Sequence, residues 1–125
     1  MNGRIIKSGH ARGEALVARE AMGWLGSVDP KTGLVVEKGH SLEGKSVAGK
    51  VLVFTTGKGS TVGSYTIYAL KKAGLAPAAI VCEESEPIVA VGAIISDIPM
   101  VDKIDISKIK TGDLVAVKGG EVVLK

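Results

Sequence analysis

The segment Thr56-Gly57-Lys58-Gly59-Ser60-Thr61 is the part of the chain whose residue types and spacing could do chemistry. Its two glycines let an anion approach the backbone closely, Lys58 adds a mobile cation, and Ser60 brings a hydroxyl. If a helix starts there, its first amides and the positive end of its dipole join the set. Ser60 and Ser64 would then lie one helical turn apart on the same side. Together these features describe an anion site with a hydroxyl in it. A plainer role stands beside that one: serine is a common N-cap and glycine a common way to turn a strand into a helix, so Ser60 could serve only its own helix. A Walker A phosphate loop is excluded, because Gly-x4-Gly-Lys-Ser/Thr is absent.

Other polar groups carry weaker signals. His10 and Arg12 fall in the glycine-bounded stretch Ser8 to Gly13, which reads either as a solvated surface loop or as a loop that brings cations to an anion. His40 has no metal partner at ligand spacing and reads as structural. Glu83, Glu84 and Glu86 follow a strand at the same edge as Ser60, and a solvated turn is favoured over site acids. Cys82 ends an apolar strand with no histidine near it in sequence, which favours packing over nucleophilic chemistry. A single cysteine excludes an internal disulfide, and equally a zinc or iron-sulfur site ligated by cysteines of this chain alone. Any such metal must come from a partner.

The elements that must position these residues follow from local pattern. Val51 to Thr55 reads as a strand, Ser60 to Ala73 as a helix, Ala78 to Cys82 as a strand, Glu86 to Ile95 as a helix and Ile98 to Val101 as a short strand. Strands alternating with helices predict parallel pairing with right-handed crossovers. The first helix should bury Val62, Thr66, Ala69 and Ala73, widened by Tyr65 and Leu70, and stop at Gly74. Ser85 could cap the second, with Pro87 in its first turn. Outside this zone, Arg4 to Lys7, Glu14 to Ala18 and Leu34 to Glu37 read as strands, and Asp29 to Gly33 as a turn. Asp113 to Lys118 and Glu121 to Leu124 flank Gly119-Gly120, a two-residue hairpin signal. The predicted fold is α/β: three layers, β/β/α, with a parallel central sheet and a second, largely antiparallel sheet.

Size and composition are consistent with one domain spanning residues 1–125. The chain is 46% hydrophobic but 3% aromatic, so its core must be built from Val, Ile, Leu and Ala. A net charge of +3 is spread over interleaved acids and bases, without the clustered Lys/Arg and stacking aromatics that nucleic-acid binding wants. An acidic partner or an anionic small substrate fits as well. The longest apolar stretch, Ile88 to Ile95, is far too short to span a membrane, and Met1 to Lys7 is polar, so a cytoplasmic protein is expected.

Five runs carry a resemblance: Gly9-His10-Ala11-Arg12-Gly13-Glu14-Ala15-Leu16, Gly33 through Leu42, Gly44 through Val53, Gly57 through Ser64, and Ala76-Pro77-Ala78-Ala79-Ile80-Val81. The chain resembles the aconitase X swivelling-domain family along essentially its whole length, and within it the archaeal enzymes that act on phosphomevalonate. The resemblance implies a swivelling β/β/α domain that caps a separate large subunit, with a 4Fe-4S cluster bound by that large subunit and none by this chain. It implies a hydro-lyase that dehydrates (R)-5-phosphomevalonate to trans-anhydromevalonate 5-phosphate in an archaeal mevalonate pathway. The family's serine base maps onto Ser60. Lys58, with Gly59 and Thr61 as backbone donors and with Arg12 and His10 as further candidates, would hold the phosphorylated hydroxy acid. Aconitases proper follow paired serines with an arginine for a substrate carboxylate, whereas Thr61 and Val62 stand here, which argues against a tricarboxylate. Where many relatives have arginine, Lys58 keeps the charge but loses the bidentate fork. Two alternatives are another aconitase-like dehydratase or isomerase, for example one acting on hydroxyproline, and a non-catalytic anion-binding scaffold.

Overall fold

A computed structural model describes residues 1–59 and 61–124. Val51, Leu52, Val53 and Phe54 form an unbroken apolar run with both faces covered, as a central parallel strand requires. This strand is β3 (Val51–Phe54), flanked by β4 (Ala79–Cys82) and by β2 (His10–Val17), both parallel to it. Beyond β4 lies β5 (Met100–Asp102), and then β1 (Arg4–Lys7), antiparallel to β5. Beyond β2 lies the hairpin β6 (Leu114–Lys118) and β7 (Glu121–Leu124), joined at Gly119-Gly120 as the sequence predicts. The order is β1-β5-β4-β3-β2-β6-β7, a single seven-stranded sheet.

The α/β class stands, but the expected second sheet is not found among the described residues. The reason is the length of β2. It runs eight residues, not the five from Glu14 to Ala18. His10 to Glu14 pair antiparallel with β6, and Ala15 to Val17 pair parallel with β3, so one strand serves both limbs. Gly13 sits at the handover, where a Cβ would lie 2.8 Å from the Gly49 carbonyl oxygen. The sheet curls there. Val115, Val117 and Val122 of the hairpin share one buried cluster with Val53, Val81 and Val101 of the parallel limb. The leading residues approach the far edge: the Gly3 amide donates to the Gly120 carbonyl at 2.8 Å and the Val122 amide to that of Met1 at 2.7 Å.

The opposite faces of the same strands, Leu52, Phe54, Ile80 and Met100, pack under α1 (Gly63–Lys72) and α2 (Pro87–Ile95). Two corrections concern α1. It starts at Gly63, three residues after the predicted start, and it buries Gly63, Ser64, Thr66, Ile67 and Leu70 while Val62 and Tyr65 face solvent. The buried face is set by small residues where the helices touch. A Cβ at Gly63 would lie 3.2 Å from Ile88 Cγ2 of α2 and 3.4 Å from the Trp24 Cβ, and a side chain at Gly92 would meet Ile67 at 2.5 Å. For α2 the cap is Glu86, not Ser85: its carboxylate accepts from the Ile88 and Val89 amides at 2.9 and 2.8 Å.

The segment from Ala18 to Lys50 forms no strand, so the one predicted over Leu34 to Glu37 is replaced by isolated bridges, Val28 with Val35 and Leu34 with Ser46. The turn at Asp29 does form, closed by the Gly33 amide on the Asp29 carbonyl at 2.8 Å. Met22, Trp24, Val35 and Leu42 from this excursion plug the helix-side core. Trp24 meets Phe54 edge to face, with ring centroids 6.5 Å apart.

Candidate functional site

The loop that leaves β3 at Thr55 and enters α1 at Gly63 lies off the carboxyl end of the parallel strands, the edge where open α/β sheets bind ligands. Its first half is pinned from two sides. The Met22 amide donates to the Thr56 carbonyl at 2.9 Å and the Lys58 amide to that of Met22 at 3.0 Å, so the loop runs parallel to the excursion at this point. From the other side the amides of Glu83 and Glu84 donate to the Thr55 carbonyl at 3.2 and 3.1 Å.

The two glycines do different jobs. Gly57 supplies space, because a Cβ there would fall 2.2 Å from Glu86 Oε1 and 2.6 Å from Val89 Cγ2. Gly59 supplies conformation: its φ is +102°, and nothing lies within 4 Å of the Cβ position. Lys58, Gly59 and Thr61 are exposed. Ser60 lies outside the described residues.

Lys58 is not a free cation. Its ammonium donates to Glu37 Oε2 at 3.0 Å, and the other carboxylate oxygen of Glu37 accepts from the Ser27 hydroxyl at 2.7 Å. The Ser27 hydrogen bond first, and Lys58 second, hold the Glu37 carboxyl below its ordinary range. Below this pair, Glu20 accepts from the Ser41 amide at 2.9 Å. His40 is buried and fully engaged: Nδ1 accepts from the Leu42 amide at 3.1 Å, and so Nε2 carries the proton toward the Ala21 carbonyl at 3.2 Å. That environment makes His40 a brace for the excursion.

Behind the loop, Asp102 is fully buried. Burial pushes its carboxyl up, but hydrogen bonds from Arg4 and Ser85 outweigh that and leave it below the ordinary range. Arg4 forks onto it at 3.0 and 2.6 Å, and the Ser85 amide donates at 3.1 Å. The acidic turn from Glu83 to Glu86 is thereby tied to β5. Glu84 pairs with Lys103 and Glu86 caps α2, so neither is an idle solvated acid.

Arg12 and His10 are not brought to this loop. They lie on β2, not in a loop, opposite Ala116 and Lys118 of β6. That is the amino end of a strand parallel to β3, whereas the loop leaves the carboxyl end. Sequence reasoning also missed Glu37 and Ser27, for which no local signal exists. It missed Glu86 as a cap although the signal was present, since a proline at the first helical position makes the preceding residue the N-cap.

The donor set does not suit a metal cluster. Cys82 is fully buried, and its thiol is pushed up to about 12 by burial, with Asp102 and Glu84 adding to the effect. Such a group does not present the thiolate a cluster needs. Among the described residues no three His, Cys, Asp or Glu side chains converge to hold a metal ion.

A family model described as "Aconitase X swivel domain" matches residues 1–125. The chain is 60% identical over 124 residues to the phosphomevalonate dehydratase small subunit of Methanosarcina acetivorans, covering 97% of this chain and 86% of that one. It is 57% identical over 124 residues to the protein of the same name from Thermococcus kodakarensis, covering 98% and 93%. The crystal structure of Thermococcus kodakaraensis aconitase X in its holo form superposes with a TM-score of 0.98 at 56% identity, covering 99% of this chain and 96% of that chain.

Proposed function

The chain belongs to the aconitase X swivel-domain family, and on that premise we propose that it is the small subunit of phosphomevalonate dehydratase, a hydro-lyase. The observation that carries the reading is the joint match in sequence and shape: 60% identity over 97% of the chain to one small subunit of that name, and a TM-score of 0.98 to aconitase X. The chain acts as one swivelling domain and closes on a large subunit in the cytoplasm. A 4Fe-4S cluster belongs to that subunit, because Cys82 is unsuited to ligation and stands alone.

This chain's contribution is proton removal and anion binding. Ser60 takes the proton from C2 of (R)-5-phosphomevalonate while the hydroxyl leaves C3, so that the C2–C3 double bond forms and one water is lost. A serine hydroxyl ionises only where its alkoxide is stabilised, and the sequence sets the amides of Gly59 and Thr61 beside it. Lys58 holds the phosphate. The pinned first half of the loop supports the anion-binding part of the reading, since it fixes the backbone of Lys58. Arg12 and His10, at the other end of β2, have no part in this constellation.

Ser60→Ala in the assembled two-subunit complex is the test. Loss of a positioned acid-base group lowers kcat by about 10²- to 10⁴-fold. A kcat within about threefold of wild type, far inside that range, in a complex with unchanged stability and iron content would reduce Ser60 to a loop residue.

A further inference from the structure

We propose that Glu37 is a positioning residue for the phosphate site: it parks the Lys58 ammonium at the rim of the loop and yields it to the substrate's phosphate. The inference rests on the role given to Lys58 above and extends it to a residue 21 positions away in sequence.

Three contacts build the device. Glu37 Oε2 takes the Lys58 ammonium at 3.0 Å, and Oε1 is fixed by the Ser27 hydroxyl at 2.7 Å, so the carboxylate has one orientation. The Lys58 backbone is held separately, by the Met22 carbonyl at 3.0 Å. Gly23 leaves room for the Ser27 hydroxyl, which a Cβ there would approach to 3.0 Å. Backbone and ammonium of the same lysine are thus anchored to one excursion, with a flexible stem between them. Such a stem can swing its charge from one anion to another without moving the loop.

The energetics permit the exchange. The Lys58 side chain is 48% exposed and that of Glu37 28%, so the pair is of the solvated kind that stabilises little. A phosphate dianion offers more charge and more acceptor oxygens than one carboxylate. While the site is empty, the pair holds Lys58 in one place and half-neutralised. Substrate must displace Glu37, and that competition raises KM without touching the chemical step.

The test compares wild type, Glu37→Gln, Lys58→Ala and the double variant in the assembled complex, by phosphomevalonate kinetics and by calorimetric titration with inorganic phosphate. Glutamine keeps an oxygen for Ser27 but removes the competing charge. Glu37→Gln is expected to lower KM and tighten inorganic phosphate binding by about two- to fivefold, matching an exposed ion pair, with kcat unchanged. In the Lys58→Ala background the gain should vanish. Unchanged phosphate binding in Glu37→Gln, or a gain that persists without Lys58, overturns the proposal. Ser27→Ala, which loosens Glu37 without altering charge, should shift KM in the same direction by less, and an increase in KM would also count against displacement. If wild-type complex fails to dehydrate phosphomevalonate, the assigned reaction falls, while the phosphate titration still decides the role of Glu37.

Discussion

Glu86 and Gly57 touch across the base of the loop, the carboxylate of one filling the space where the other would carry a side chain, 2.2 Å from a Cβ. The same carboxylate caps α2 through the Ile88 and Val89 amides. Loop shape and helix start are therefore set by one group.

Gly57→Ala should consequently damage two elements at once. The methyl group must push Glu86 off its amides or lift the loop, at a cost of about 1–3 kcal/mol, the usual range for overpacking. Urea denaturation checks the stability, and kcat/KM of the complex should fall with it. A stable variant with wild-type kcat/KM would mean that the contact shapes nothing.

Gly92→Ala tests the helix pair away from the loop. Its Cβ would meet Ile67 Cδ1 at 2.5 Å and the Ile67 Cβ at 3.1 Å, so α2 must back away from α1. A destabilisation of about 1–3 kcal/mol is expected, with KM little changed in whatever fraction is folded.

Acid sensitivity should trace in part to Asp102. Its carboxyl is lower in the folded state than in the unfolded chain, so the folded state binds fewer protons and Asp102 stabilises the fold above the ordinary carboxylate range. That contribution disappears as pH falls below the range and through the depressed folded value. Asp102→Asn should flatten the dependence of urea midpoint on pH in the acid region. Glu20, Glu37 and Asp105, whose carboxyls are also lowered, leave a residual slope. An unchanged slope would mean that Asp102 does not titrate differently on folding.

Cys82 should be silent toward thiol reagents. A thiol buried at the end of β4 and pushed up to about 12 has almost no thiolate at pH 8 and no path to solvent. Ellman's reagent is expected to titrate no thiol in the native chain and one after unfolding in guanidinium. Rapid native labelling would contradict the burial.

Local pattern was enough for the parallel unit. Val51 to Phe54 and Ala79 to Cys82 announce themselves as apolar runs, and Gly119-Gly120 marks its hairpin, with φ of +61° at Gly119. What local pattern could not show was pairing at a distance. Glycines at 9 and 13 make residues 8–13 look like a loop, yet β6 arrives there and turns the stretch from His10 onward into strand. Hydropathy alone picks the wrong side of α1 because Gly63 and Ser64 carry little hydrophobic signal; close helix contact puts them inside. The glycine loop itself was evident from composition. Its partner Glu37 was not, since only the fold of the excursion brings residue 37 to residue 58.

Because β2 belongs to both limbs of the sheet, the molecule has no seam along which it could come apart by halves. Peeling the β6–β7 hairpin away uncovers Val53, Val81 and Val101, which share its core, and strips β2 of the neighbour along its first five residues. Amide exchange in β2 and β6 should therefore report the opening of the whole molecule rather than local fraying, with protection rising and falling together on the two strands. A domain that opens only as a unit can turn against a partner as a single body.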